Sequence, residues 1–304
     1  MIHSLAVIKM KQKMKGIIAL LVATLIWGST FVAQSVGLDL VEPFSFQVGR
    51  TVLAVPFMLI LLLIQNPKEF LSSWKNPQLW KAGIPCGIAL FAASGLQQMG
   101  MVHTDAGKSG FLTAMYIILV PILGIFLKRK PPKTIYLSVV LAVAGLYLLS
   151  CVGVTTINSG DIMLLGCALA FAFQILFVEI FGEGLNGIQL NCAQCIVNGI
   201  LSAIVMLLFE EPKLSALTAC WLPLAYAGIL SMGVAFTLQI VGQKYLEAAP
   251  ASIIMSLESV FAVLAGWLIL GETMTTAETI GCILMFAAVI LSQLPVPMKK
   301  KSKA

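Results

Sequence analysis

The chain has 304 residues, of which 59% are hydrophobic and only 11% charged, with a formal net charge of +6. Soluble domains carry roughly 45–50% apolar and about 25% charged residues, so this composition, with a mean hydropathy of +0.99, excludes a water-soluble globule. Lipid is the remaining solvent, and at ~20 residues per membrane helix ten spans and their turns use up the length and leave no room for a soluble catalytic domain.

Lys9, Lys11, Lys13 and Lys15 make residues 1–15 a basic tail. The apolar runs that follow predict spans at Gly16–Ser35, Pro43–Ile64, Lys81–Val102, Gly107–Leu127 and Lys133–Cys151. A second set falls at Asp161–Phe181, Ile188–Phe209, Trp221–Gly242, Ala249–Leu270 and Glu278–Leu294, before a second basic tail over 295–304. Proline and polar clusters separate the runs: Glu42-Pro43, Asn76-Pro77, Pro131-Pro132, Glu211-Pro212 and Pro295-Val296-Pro297. The links are short, so consecutive helices are antiparallel neighbours. Lysines before an apolar run also describe a signal peptide. The first run, however, lacks a small-x-small cleavage site, which predicts an uncleaved first helix.

Lysine and arginine set the orientation. With ten spans and a cytoplasmic N-terminus, sixteen of them fall on one side, Lys108 and Lys213 on the other, and Arg50 inside a span. The bias predicts that both termini are cytoplasmic, and the expected location is the plasma membrane, as a multi-pass protein. The positive charge then reflects topology and attraction to anionic lipid rather than nucleic-acid binding.

The chain also resembles itself. Leu96-Gln97-x-x-Gly100 before Asp105-Ala106 matches Leu238-Gln239-x-x-Gly242 before Glu247-Ala248, and Gly16 matches Gly160. An odd number of spans per half inserts the halves in opposite senses. The expected architecture is therefore all-α, two inverted five-helix repeats over 16–151 and 160–294, with a site at the midplane between them, as in secondary transporters.

Trp27-Gly28-Ser29-Thr30-Phe31, Gly107-x-x-Gly110-Phe111-Leu112 with Pro121, and Leu257-Glu258-Ser259-Val260-Phe261 leading to Gly271-Glu272 and Gly281 are similar to elements of the EamA-type branch of the drug/metabolite transporter superfamily. The resemblance runs from Gly16 to Leu294. It departs at Glu258-Ser259, where the family has Glu-Pro, and at Lys128-Arg129, where it has Gly-Glu. The resemblance implies a carrier of small metabolites and does not name the cargo.

An ionisable side chain inside a span is costly and marks a candidate site. Glu258, near mid-membrane, would take up a proton, accept a cationic cargo group, or hydrogen-bond a neighbouring helix. Arg50 sends its stem toward the outer surface and pairs a helix or contacts lipid, or else binds an anion. Glu179 is expected at the cytoplasmic interface. Gln47, Gln97, Gln98, Gln174, Asn191, Gln194, Asn198 and Gln239 suit zwitterionic or polyol cargo and equally hold helices together. Gln97 and Gln239 occupy matching positions in the two halves and are expected near one pseudo-twofold axis. Trp27 and Tyr116 would supply a stacking wall, and Trp27 would also serve as an interfacial anchor. Pro56, Pro85 and Pro121 are expected to bend helices, and Gly83-x-x-x-Gly87 and Gly107-x-x-Gly110 to let helices approach closely.

No enzymatic constellation accompanies these groups. Gly107-Lys108-Ser109 lacks the glycine that a phosphate-binding loop needs five residues earlier, where Val102 stands. The seven cysteines scatter through apolar segments, and the two histidines are His3 and His103. The expectation is a protein that is no enzyme, with no cofactor and no metal, and with small-molecule cargo and lipid as partners. It is read as a secondary transporter that exports small metabolites such as amino acids by alternating access, with Glu258 the candidate for proton coupling. A carrier of nucleotide-sugar or lipid-linked cargo, which would need a more basic cavity, and a non-transporting scaffold or sensor subunit are the alternatives.

Overall fold

The computed structural model describes residues 2–129, 131–150, 157–270 and 274–294. The expected tail over 295–304, Cys151 and Gly271-Glu272 lie outside them. The described residues form helices and turns without a strand. Among them ten helices are long and apolar enough to cross a membrane: α1 (Met10–Leu38), α2 (Pro43–Gln65), α3 (Pro77–Met101), α4 (Gly107–Phe126), α5 (Lys133–Ser150), α6 (Ser159–Phe181), α7 (Gly187–Phe209), α8 (Trp221–Gln243), α9 (Ala248–Ala265) and α10 (Thr276–Gln293). Their outward faces are apolar too, with Val52, Ile60, Ile88, Leu207, Ile283 and Ile290 exposed. A soluble helix would bury such a stripe and dress the opposite face in charge; here lipid is the second apolar partner.

Three departures from the sequence reading matter. The segment expected as a tail is helical from Ile2 onward and continuous with α1, because no proline or glycine lies between Ile2 and Gly16 to stop it. The bends expected at proline are not where the helices break: Pro56, Pro85 and Pro121 all sit inside helical segments. The interruptions fall instead in α4, between Thr113 and Tyr116, and in α9, between Met255 and Glu258. There the ladder tightens to bonds spanning three residues, such as Ile117 N–H to Ala114 O (3.0 Å) and Leu257 N–H to Ile254 O (3.1 Å). Finally, α8 widens into a π-helix over Tyr226–Ala235.

The packing follows the repeat. α3 packs along α6 and α7, as α8 packs along α1 and α2; α4 rests on α6 as α9 rests on α1; α5 pairs with α10, and α2 with α7. Exchanging the first five spans for the last five returns the same set of neighbours, the pattern that two repeats of opposite sense produce. The repeated glycines show why they are needed. A Cβ on Gly16 would stand 3.0 Å from the Gly242 carbonyl oxygen, and one on Gly160 would stand 2.6 Å from that of Gly100. The same glycine-on-glycine crossing thus joins α1 to α8 and α6 to α3. Gly83 and Gly87 bring α3 against Ala193, Gln194 and Val197 of α7, whereas Gly107 faces open space and supports no close approach.

Polar contacts tie the helix ends. Asp161, in the first turn of α6, meets Lys108 at 2.5 Å and accepts from Thr104 Oγ1 (3.1 Å) and the Asn158 N–H (2.9 Å). At the opposite end of the same two helices Glu179 pairs with Arg129. The parallel helices α4 and α6, from different repeats, are therefore tied at both ends.

Glu210, just beyond α7, serves α2: its carboxylate accepts from the Phe44 N–H (2.8 Å), the Ser45 N–H (2.7 Å) and Ser45 Oγ (2.8 Å). A helix N-terminus leaves backbone donors unpaired and favours negative charge. Glu210→Ala is expected to destabilise the protein by about 1–2 kcal/mol, the range for losing a good cap. Thermal melting of the purified protein measures it, and an unaltered midpoint would show that water replaces the cap at no cost.

Candidate functional site

A cavity lies between the repeats. Its wall comprises Trp27, Thr30, Phe31 and Gln34 from α1, Arg50 from α2, Ser94 and Gln97 from α3, and Tyr116 from α4. The second repeat adds Phe171 and Ile175 from α6, Ser231, Phe236 and Gln239 from α8, and Met255 and Glu258 from α9.

Six of the residues singled out in the sequence meet on this wall: Trp27, Arg50, Gln97, Tyr116, Gln239 and Glu258. Gln174 stands behind it, accepting from Gln239 Nε2 (2.8 Å) and donating to Gln194 Oε1 (3.1 Å). Gln47 and Asn198 also serve packing, bonded to each other at 2.9 Å. The helix-joining reading therefore fits these three amides.

Two placements narrow the alternatives that the sequence left open. Arg50 does not reach the outer surface: it is 3% exposed, faces the cavity and donates from Nη1 to Gln34 Oε1 at 3.3 Å. Gly228 of α8 packs against the Arg50 backbone. A Cβ there would stand 2.6 Å from the Arg50 carbonyl oxygen, so α8 closes over the backbone of α2 at that point. Nor is Trp27 an interfacial anchor; its ring lies edge-on to Phe236 with centroids 4.9 Å apart.

The repeat is written into the wall. Tyr116 donates its hydroxyl proton to Glu258 Oε1 at 3.1 Å, and the two residues lie 142 positions apart. That is also the spacing of Gln97 and Gln239, and of Ser94 and Phe236. Trp27 and Phe171, and likewise Phe31 and Ile175, are separated by the slightly larger offset that relates Gly16 to Gly160. The breaks in α4 and α9 obey the same spacing, so Tyr116 and Glu258 each open the second half of a broken span. Discontinuous spans whose half-helix ends face a midplane cavity are a recurring arrangement in secondary transporters. Glu258 is held by α1: a Cβ on Gly28 would stand 2.6 Å from the Glu258 carbonyl oxygen. Any side chain at position 28 would press the two helices apart.

A polar line crosses the cavity floor from Arg50 to Gln34, from Gln34 Nε2 to Gln97 Oε1 (3.3 Å), and from Gln97 Nε2 to Thr113 Oγ1 (3.4 Å). Three polar atoms of the wall have no protein partner: Arg50 Nε, Trp27 Nε1 and Gln239 Oε1. Two of these are donors and one is an acceptor. Among the described residues no group of three His, Cys, Asp or Glu side chains suits a metal ion.

Sequence reasoning missed Thr30, Phe31, Gln34, Ser94, Phe171, Ile175, Ser231, Phe236 and Met255. For α1 the signal was present, because Trp27, Thr30, Phe31 and Gln34 follow the i, i+3, i+4, i+7 spacing of one helix face. For Ser231 and Phe236 it was not. They are five apart, and it is the π-helix, closing Phe236 N–H onto Ser231 O, that aligns them.

Comparison with known proteins agrees with this architecture. The model of the EamA-like transporter family matches residues 14–151 and again 158–294, one match per repeat. An uncharacterized transporter of Archaeoglobus fulgidus is 34% identical over 92% of this chain and 86% of its own length. The uncharacterized transporter YoaV of Bacillus subtilis is 27% identical over 93% of this chain and 97% of its own. The threonine/homoserine exporter RhtA of Escherichia coli is 27% identical over 59% of this chain and 61% of its own length. A crystal structure of a protein 18% identical superposes with a TM-score of 0.76, covering 91% of this chain and 96% of that one; it bears on the fold alone. With a family match on each half and a relative 34% identical over 92% of this chain, the chain belongs to the EamA-like transporters of the drug/metabolite transporter superfamily.

Proposed function

We propose that the protein exports small metabolites such as amino acids across the plasma membrane by alternating access, with both termini cytoplasmic and the cavity between the repeats as the cargo site. The observation that carries this reading is the Tyr116–Glu258 hydrogen bond, formed in the cavity between matching positions of the two repeats. A carboxyl group held between repeats that rock against each other changes partners when they move, and a proton or a cationic cargo group competes for it in the state where Tyr116 withdraws. The similarity to a protein named as a threonine/homoserine exporter supports amino-acid cargo and outward movement. The excess of lysine and arginine at one set of helix ends supports the orientation.

The test is flux through reconstituted protein under an imposed pH gradient. The parent protein is expected to move amino acids at a rate set by the gradient. Glu258→Gln, which keeps an acceptor for Tyr116 and loses the titratable group, is expected to lose that response by about tenfold or more, the factor worth ~1.4 kcal/mol of coupling. If the variant follows the gradient as the parent does, the coupling role is wrong. If neither moves any solute while a partner protein copurifies, the scaffold reading replaces transport.

A further inference from the structure

We propose that Arg50, with the indole N–H of Trp27, is a carboxylate-binding pole of the central cavity, so that the cargo carries a free carboxylate. The proposal rests on the cavity being the cargo site and adds the chemical class of what enters it.

A buried guanidinium is stable only where an anion or a full set of acceptors meets it. Arg50 has one acceptor, Gln34 Oε1 at 3.3 Å, and its Nε has none. The two ion pairs among the described residues, Lys108–Asp161 and Arg129–Glu179, lie at the ends of the bundle and involve neither Arg50 nor Glu258. The protein therefore supplies the cation and leaves the anion to the occupant. A guanidinium binds a carboxylate through parallel N–H donors, and the unpartnered Trp27 Nε1 on the same wall adds another.

Packing does not demand the charge. The residue of the second repeat at the offset that relates Gly16 to Gly160 is Gln194, an amide satisfied by accepting from Gln174 (3.1 Å) and donating to Asn191 (2.8 Å). At this position the two repeats differ, and only the first carries a charge. Glu258 and the free Gln239 Oε1 provide the acceptor side. The aromatic rings of Trp27, Phe171 and Phe236 provide an apolar wall between. The occupant so described is an amino acid with its carboxylate toward Arg50 and an apolar or small side chain against the rings.

Equilibrium binding tests this separately from flux. Detergent-purified protein is melted with each of the twenty protein amino acids, with their carboxamides, and with their N-acetyl derivatives, since a ligand that binds the folded state raises the midpoint. Free carboxylates, acetylated or not, are expected to stabilise the protein, and the matched amides to bind about 10- to 100-fold more weakly, as for loss of a hydrogen-bonded charge. Arg50→Gln is expected to abolish that discrimination and Arg50→Lys to keep part of it. Should Arg50→Gln fail to fold, the acid–amide comparison on the parent protein still decides. Amides that bind as well as acids overturn the proposal, and so does a protein that no carboxylate stabilises. Discrimination without flux would sustain the carboxylate pole while removing the transport reading.

Discussion

Gly28→Leu is expected to abolish transport, and to do so by moving Glu258. A Cβ at position 28 would stand 2.6 Å from the Glu258 carbonyl oxygen, 2.7 Å from Phe261 Cβ and 2.8 Å from the Ala262 nitrogen. Two of these three atoms are backbone, so no rotamer change relieves the clash, and α1 and α9 must part along their shared face. Overpacking of this kind costs about 1–3 kcal/mol. It also displaces the turn from Met255 to Glu258 that positions the carboxyl against Tyr116. Flux in proteoliposomes is expected to fall by about tenfold or more, the factor equivalent to ~1.4 kcal/mol, with Gly28→Ala intermediate. Parental flux in Gly28→Leu would show that the close approach of α1 and α9 is dispensable.

The second large effect is expected at Asp161. Its carboxylate holds Lys108, Thr104 and the backbone of Asn158, and with Asn158 it forms the capping box of α6. Its side chain is 4% exposed and that of Lys108 13%. Breaking a buried ion pair by removing one partner costs ~3–5 kcal/mol, and the cap adds to it. Asp161→Ala is expected to lower stability by about 3 kcal/mol, read as a lower melting midpoint or as loss of folded protein at 37 °C. Asp161→Asn, which keeps a capping oxygen and removes the charge, separates the two contributions. A midpoint equal to the parent's in Asp161→Ala would show that the cluster stabilises nothing.

The number and order of the spans were legible because lipid imposes a crude rule: an apolar run of about twenty residues and a charged end. The site was partly legible for the opposite reason. In so apolar a chain Glu258, Arg50 and the amides stood out, and the spacing shared by Gln97 and Gln239 already held the relation that brings Tyr116 to Glu258. What the sequence concealed depends on backbone geometry that leaves no mark in composition. The break in α4 lies before Pro121 rather than at it, and the register of Ser231 and Phe236 depends on a π-helix. The direction of the Arg50 side chain was concealed too, because its partner Gln34 lies on a different helix.

The glycine crossings have a consequence for how the halves recognise each other. Gly16 of the first half lies on Gly242 of the second, and Gly160 of the second lies on Gly100 of the first. Each half thus presents both a donor of clearance and a carbonyl to fill it, and the contact between halves is isologous, the geometry of a twofold dimer. One five-helix unit is self-complementary at this surface, and the intact chain is the tethered form of that pairing. The departures from symmetry, Glu258 facing Tyr116 and Arg50 where the other half has Gln194, are then what a tethered pair permits and two identical copies would forbid.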